Sequence, residues 1–412
     1  MTLTRRDVLL ATGGAALSGC VGPAPGPFPL GVAAGDVTAE GAVLWTKHAA
    51  GGPLVLRVWN EDQQPEDARA IEVTPADGFA RVLCDGLPAA TWHRFSFEGE
   101  GGVSQPGRFR TALAPDSLEP LTFGATSCIH WNHPHDALAH AAARTDLDAF
   151  IFLGDAVYND GAEHLEAFRQ KWALGLDSDA YRALRASTSL VAIWDDHEVT
   201  NNWQGDAVRA RVLAAARDAW LEHQPARVGE HLWRSLRWGR TAELFVLDGR
   251  AERDARRGHY ISPEQLRWLV DGVRGSDATF KILVNTVPIG AFDFPFFAPF
   301  NQDHWLAYPE QRRALLEGIE GTPGLLVVSG DFHLGSFGRV AARGPGASVF
   351  EVLAGPGANA PNPCPSYPSG DPWEFSTARR NYVTLALDPH ARTATVRHHS
   401  AEGTLFERVV EA

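Results

Sequence analysis

The sequence predicts a layered α/β core preceded by a small all-β sandwich. Three observations carry that reading. The opening third has no helical period and breaks into short runs of strand character. From Leu121 onward strands alternate with helices. Six apolar runs in that part each end on a residue that can hold a metal or a phosphate. In an α/β sheet the carboxyl ends of the strands line the crevice where ligands bind, so six such ends in series predict a built site.

Size and charge set the context. The chain has 412 residues, 44% of them hydrophobic, enough for two domains and a large core. No interior apolar stretch reaches the roughly 20 residues of a spanning helix. At the start, Thr4-Arg5-Arg6-Asp7, a short apolar run and Leu17-Ser18-Gly19-Cys20 look like a twin-arginine export signal closed by a lipobox, with Val8 and Leu10 where Phe and Lys are common. Residues 1–20 are therefore expected to engage the twin-arginine export machinery. A lipid on Cys20 would then anchor the protein to a bacterial membrane as a periplasmic or cell-surface lipoprotein. Cleavage before Cys20 removes Arg5, Arg6 and Asp7, so 37 cations against 50 anions become 35 against 49, a net charge of −14. A body that acidic repels nucleic acid and anionic lipid. Sequence-specific nucleic-acid binding is excluded on this ground, and a phosphorylated substrate has to be held by local cations, which points to metal ions.

Residues 21–29, rich in Pro and Gly, read as a linker. In residues 30–114 the runs at 42–45, 54–59, 71–74, 79–84, 92–97 and 107–111 are separated by turn signals such as Asp77-Gly78, the pattern of a small antiparallel sandwich. Ala114-Pro115-Asp116 marks a boundary, and residues 118–412 form the second domain. Helices are predicted at 134–144, 163–174, 179–186, 206–223, 263–274 and 309–319. Ser262-Pro263-Glu264-Gln265 and Tyr308-Pro309-Glu310 supply helix starts. After a strand run at 348–353 come two more, at 382–387 and 393–399, which are expected to complete a second sheet late in the chain.

The six run ends are Ser127-Cys128, Gly154-Asp155, Asp195-Asp196-His197-Glu198, Asp248-Gly249-Arg250, Asn285 and Gly330-Asp331-Phe332-His333. Phosphoester hydrolysis needs a nucleophile, neutralisation of the phosphoryl oxygens and protonation of the leaving group. Two metals roughly 3.5–4 Å apart supply the first two through a bridging hydroxide. Bridging carboxylates with His or Asn partners and a hard anionic donor build such a site. Of the cysteines beyond Cys20, Cys84, Cys128 and Cys364 form no CxxC and no even framework. If Cys128 is a ligand, Cys84 and Cys364 remain as a pair that an oxidising envelope would permit.

These blocks resemble the alkaline phosphatase D (PhoD-like) branch of the calcineurin-like metallophosphatases. The start Leu30-Gly31-Val32-Ala33-Ala34-Gly35-Asp36, followed by Val43-Leu44-Trp45-Thr46, is similar to that family's N-terminal sandwich. Ser127-Cys128, Gly154-Asp155-Ala156-Val157-Tyr158, Trp194-Asp195-Asp196-His197-Glu198 and Gly330-Asp331-Phe332-His333 match its metal blocks in order. The resemblance implies a core of two packed mixed β-sheets flanked by helices and an exported phosphomonoesterase or phosphodiesterase. It implies Asp155 as the carboxylate bridging two metals, with Cys128, Tyr158 and His333 completing an iron(III) site, Fe(3+), and Asp196, Asn285 and Asp331 holding calcium, Ca(2+). His197 would sit by the phosphate and assist the leaving group, and Arg250 is a weaker candidate for a phosphate contact. Phenolate and thiolate ionise readily only beside a strong cation, and the oxygen-rich Asp196, Asn285 and Asp331 suit a hard ion.

Other features read as support or packing. Asp195, Asn201 and Asn202 are expected as partners of the ligands rather than as a third site. His130, His133 and His135 are expected to be solvated or locally bonded rather than metal-bound, with at most one near the pocket. The aromatic loop at 291–305 (Phe292, Phe294, Phe296, Phe297, Phe300, Trp305) would pack over the entrance. His398-His399 reads as an exposed strand end. The competing reading is a non-catalytic surface lipoprotein that binds a partner and carries a structural metal.

Overall fold

The computed structural model describes residues 26–205, 208–292, 302–362 and 372–412. The expected export signal with Cys20, as well as Phe294, Phe296, Phe297, Phe300 and Cys364, lies outside the described residues.

Two mixed sheets form the body. The larger has nine strands, in the order Gly403–Glu411, Thr393–Ser400, Tyr382–Asp388, Leu121–Thr126, Ala149–Leu153, Ser189–Ile193, Val32–Thr38, Gly41–Lys47 and Phe79–Asp85. Leu121–Thr126, Ala149–Leu153, Ser189–Ile193 and Val32–Thr38 run parallel. The second sheet has seven strands, in the order Arg234–Trp238, Ala242–Val246, Phe280–Val284, Leu325–Ser329, Phe350–Leu353, Gly335–Arg339 and Trp373–Thr377. Its parallel centre is Ala242–Val246, Phe280–Val284, Leu325–Ser329 and Phe350–Leu353.

Side-chain alternation explains the layering. Along a strand, successive side chains point to opposite faces. Leu244, Val246, Ile282, Val284, Leu326 and Val328 enter the common core with Phe123, Ala125 and Leu385 of the large sheet. The residues between them, Phe245, Leu283 and Val327, pack outward on Leu269, Val273, Leu315 and Ile319. Those four lie on the helices Pro263–Gly275 and Pro309–Ile319, which therefore cover the outer face of the small sheet. Both helices open with Pro in the first turn, and Ser262 caps the first by accepting from the Gln265 N–H.

All six predicted helices are present, at Asp136–Ala142, Leu165–Leu176, Asp179–Ser187, Ala210–His223, Pro263–Gly275 and Pro309–Ile319. The N-terminal strands are present too, but they do not stand apart. Val32–Thr38 pairs in parallel with Ser189–Ile193, and through it two strands of the expected sandwich, Gly41–Lys47 and Phe79–Asp85, extend the nine-stranded sheet. The rest form a separate five-stranded sheet: Arg69–Val73, Leu54–Asn60, Trp92–Gly99 and Gly102–Val103 in order, with Gly107–Arg110 also on Trp92–Gly99. Buried Asp36 fixes the junction. It accepts from Arg234 Nε and Nη2 at 2.7 and 2.8 Å and from the Arg227 N–H at 2.6 Å.

One expectation is corrected here. His398 and His399 are buried rather than exposed. Their strand is flanked by Gly403–Glu411 and Tyr382–Asp388, and the rings pack on opposite faces, His398 against Phe375 and Phe406 and His399 against Tyr382 and His140.

Candidate metal centre

The parallel strands stop at Thr126, Leu153, Ile193, Val246, Val284 and Ser329, and the predicted residues follow each stop within a few positions. Gly154 and Gly330 explain how the loops come close. A Cβ on Gly154, whose φ is +90°, would lie 2.3 Å from the Asp195 Cβ, and one on Gly330 would lie 2.6 Å from the Ser127 Cβ. Glycine before each aspartate is thus a packing requirement.

The donor atoms gather in overlapping groups, each spanning no more than 4.8 Å. Cys128, Asp155 and His333 form one group; Asp155, Asp196 and His197 form a second; Asp195, Asp196 and Asp331 form a third. Tyr158 joins the first, with its hydroxyl 3.2 Å from Asp155 Oδ2 and 3.4 Å from His333 Nε2. Asp155 belongs to two groups at once, as a bridging carboxylate must. Asn285 is buried. Its Nδ2 donates to the Val287 carbonyl, which leaves Oδ1 a buried acceptor with no partner.

This donor set fits cations. Burial, and after it the repulsion of neighbouring carboxylates, pushes the acids of Asp155 and Asp331 well above the ordinary range. Burial likewise raises the Cys128 thiol and the Tyr158 phenol, with Asp155 adding to both. Positive charge placed among these groups reverses every one of those costs, and it gives the orphaned Asn285 oxygen a partner.

His197 is held from several sides. Its ring packs on Tyr158 at a tilt of 34° with centroids 4.1 Å apart, and Nδ1 lies 2.6 Å from Asp160 Oδ2. Burial opposes the imidazolium, but the Asp160 hydrogen bond and the Asp196 charge outweigh it and raise its pKa. The buried Glu198 carboxylate accepts backbone N–H bonds from Asp155, Ala156 and Asp195 at 3.0, 2.6 and 2.8 Å, tying the two ligand loops together.

Arg250 sits differently from its predicted role. Its guanidinium is fully buried, paired with both oxygens of Asp195 at 2.6 and 3.0 Å and with Asp303. It braces Asp195, which also accepts from Thr286 Oγ1 at 2.7 Å, and is not presented to a substrate phosphate. Asp195 also lies among the possible donors, grouped with Asp196 and Asp331. Of the loop histidines, His130 packs against Tyr158 with ring centroids 4.7 Å apart, while His135 bonds locally to Ser178 and the His130 carbonyl. Cys84 lies in the core, away from this cluster.

The PhoD-like phosphatase profile matches residues 123–401, and the N-terminal domain profile of the same family matches residues 16–113. The chain belongs to the PhoD-like phosphatase family. It is 26% identical over 381 residues to alkaline phosphatase D of Bacillus subtilis, covering 74% of this chain and 64% of that relative. The chain thus spans less than two thirds of the relative's length. Among solved structures, PhoD superposes with a TM-score of 0.80 at 21% identity, over 95% of this chain and 90% of that one. The purple acid phosphatase PPD1 of yellow lupin superposes with a TM-score of 0.67 at 12% identity, over 92% and 73%. Both likenesses establish the metallophosphatase fold of this PhoD-like chain.

Several residues around this cluster were not singled out from sequence. Asp160 follows Tyr158 by two positions and Glu198 ends the Asp-Asp-His-Glu block, so both had a positional signal. Asp303 and His304, grouped with Asp331, and Asn359 lie in loops with no periodic or motif signal.

Proposed function

We propose that this chain is an exported, membrane-anchored metal-dependent phosphoester hydrolase with two metals. Iron(III) would be held by Cys128, Asp155, Tyr158 and His333, and calcium by Asp155, Asp196, Asn285 and Asp331. The observation that carries this reading is the position of Asp155 in two donor groups, with the His197 imidazole beside both. Phenolate and carboxylate oxygens on one ion suit a hard trivalent cation, thiolate and imidazole are donors that iron also accepts, and an all-oxygen set suits calcium. When bound, the cations supply charge neutralisation for the phosphoryl oxygens and an activated water for in-line attack.

The chain's own groups do the rest. Asp160 engages His197 Nδ1, so Nε2 is the nitrogen left to protonate the departing oxygen. Glu198 keeps the Asp155 and Asp195 loops at a fixed separation. Arg250 acts by bracing Asp195. A purely structural metal would require neither the second donor set nor an imidazole oriented by a carboxylate. The substrate is taken to be a phosphomonoester or phosphodiester.

Elemental analysis of the purified, export-matured protein tests this directly, together with turnover of aryl phosphomonoesters and phosphodiesters. Near-stoichiometric iron with calcium and turnover abolished in Asp155→Ala is the expected result. Iron without calcium would dismiss the Asp196, Asn285 and Asp331 half. Absence of both metals, or normal turnover in Asp155→Ala, would refute the mechanism.

A further inference from the structure

Residues 354–362 form a strap across the proposed iron half. Ala358 N–H donates to the Cys128 carbonyl at 3.2 Å, and the His130 N–H donates back to the Ala358 carbonyl at 2.7 Å. Asn362 N–H donates to the His333 carbonyl at 2.8 Å. At the centre, the buried Asn359 side chain sends Nδ2 to the Tyr158 oxygen at 2.6 Å, and its Oδ1 accepts the Ala360 N–H at 2.7 Å. His333 Nδ1 lies 2.7 Å from the Ala360 carbonyl.

Donor chemistry fixes every direction in this chain of bonds. A backbone N–H can only donate, so Asn359 Oδ1 faces Ala360 and Nδ2 must face the phenol. A carbonyl can only accept, so His333 carries its proton on Nδ1 and Nε2 keeps its lone pair, on the side of Tyr158. One continuous path, Tyr158–Asn359–Ala360–His333, thus links two of the proposed iron ligands.

We propose that Asn359 is a positioning residue for the iron half: it holds the Tyr158 oxygen as a hydrogen-bonded ligand and locks it to the His333 imidazole through Ala360. The inference rests on the iron(III) reading above and goes beyond it by assigning a tuning partner to the phenolate. Hydrogen bonding to a phenolate withdraws electron density from its oxygen, as partners outside the ligand set do at metal centres. It lowers the filled orbital from which charge transfer to iron(III) starts, so loss of the bond moves that absorption to longer wavelength.

The test is the visible spectrum of the purified iron-loaded protein. Tyr158→Phe should remove the tyrosinate band; an iron protein with no such band, or one that keeps it in Tyr158→Phe, overturns the ligand reading and this inference with it. With the band assigned to Tyr158, Asn359→Leu should retain iron and shift the band to longer wavelength by about 10–40 nm, the scale of a charge-assisted hydrogen bond. An unmoved band in iron-loaded Asn359→Leu overturns the role of Asn359 while leaving the ligand set standing. Resonance Raman of the unmutated protein in light and heavy water gives a second reading that does not depend on the variant. The phenolate C–O stretch should move on exchange of the Asn359 amide protons, and a stretch insensitive to exchange overturns the inference.

Discussion

Asp160→Asn isolates the orientation of His197. In the native site one Asp160 carboxylate oxygen accepts a hydrogen bond from His197 Nδ1–H at 2.6 Å, and the other accepts the Asn201 N–H at 2.7 Å. Asparagine keeps the Asn201 bond through its carbonyl and turns its amide toward Nδ1, which can then only accept. The imidazolium loses the one carboxylate bonded to its ring. A hydrogen bond to a charged partner contributes about 1.5–3 kcal/mol. The Asp160 side chain is 38% exposed, so solvent screening places the loss at the lower end, about 1.5–2 kcal/mol. At 1.36 kcal/mol per decade that is a rate loss of about 10–30-fold. It should appear only where the leaving oxygen needs a proton. The assay is kcat on a series of aryl and alkyl esters at constant metal content. Alkyl esters should slow by about 10–30-fold and nitrophenyl esters by less than about 3-fold. In a His197→Ala background, Asp160→Asn should change nothing further. An equal loss on both ester classes, or additive losses in the double variant, would refute the orientation argument.

Four further outcomes are expected. Asp36→Ala leaves the nearly buried Arg234 guanidinium without its carboxylate and should cost about 3–5 kcal/mol, read as the urea unfolding midpoint; a loss under about 1 kcal/mol would contradict the junction described. Burial presses His223 and His398 down to about 3, so their stabilisation is complete above the unfolded value near 6.5 and falls as pH drops below it. Each should then cost about 2 kcal/mol by pH 5, and His398→Leu should flatten the slope of unfolding midpoint against pH. A calcium-selective chelator should abolish turnover, reversibly on calcium return and with iron content unchanged; full turnover without calcium would remove it from the site. Asp331→Asn should abolish calcium binding yet stabilise the metal-free protein.

Fold and site were legible to different depths. The helices and parallel strands announced themselves through periodicity and caps, because each buries a continuous apolar face. Gly335–Arg339 and Val32–Thr38 escaped notice because glycine and alanine dilute their strand character. The continuity of the nine-stranded sheet across residue 114 also escaped, since strand pairing at long separation leaves no local trace. At the site, residues one to five positions beyond a strand end were readable, because the strand fixes where they emerge. Arg250 was misplaced for a physical reason: nothing local in the sequence shows that Asp303, 53 residues away, closes over its guanidinium. Asn359 belongs to the same class, as its 201-residue separation from Tyr158 is bridged only by the fold.

The backbone shows where the two sheets spend their stability. Nine described non-glycine residues have left-handed φ, and Cys128, Asp155, Asp331 and His333 are four of them, at +57°, +54°, +63° and +53°. Each such residue costs on the order of 1–3 kcal/mol, and concentration of four at one place needs a cause. A chain leaving a parallel strand in extended conformation would carry its side chains past the strand ends. One left-handed residue turns it at once and keeps the donor beside its neighbours without a long, loosely held loop. Backbone strain is thus the cost of short, rigid loops, and like charge is added to it. Asp331 is half-buried beside Asp195, Asp196 and Asp303, and desolvation followed by those like charges raises its acid. A raised carboxyl destabilises the fold increasingly as pH climbs above the unfolded value near 3.9. Asparagine tolerates the same left-handed φ, so Asp331→Asn removes the charge and leaves the strain. The metal-free variant should therefore unfold at higher urea than the metal-free parent at pH 8, with the gap closing toward pH 4. A gap of the opposite sign, or one independent of pH, would show that the carboxylates are not held in mutual repulsion awaiting a cation.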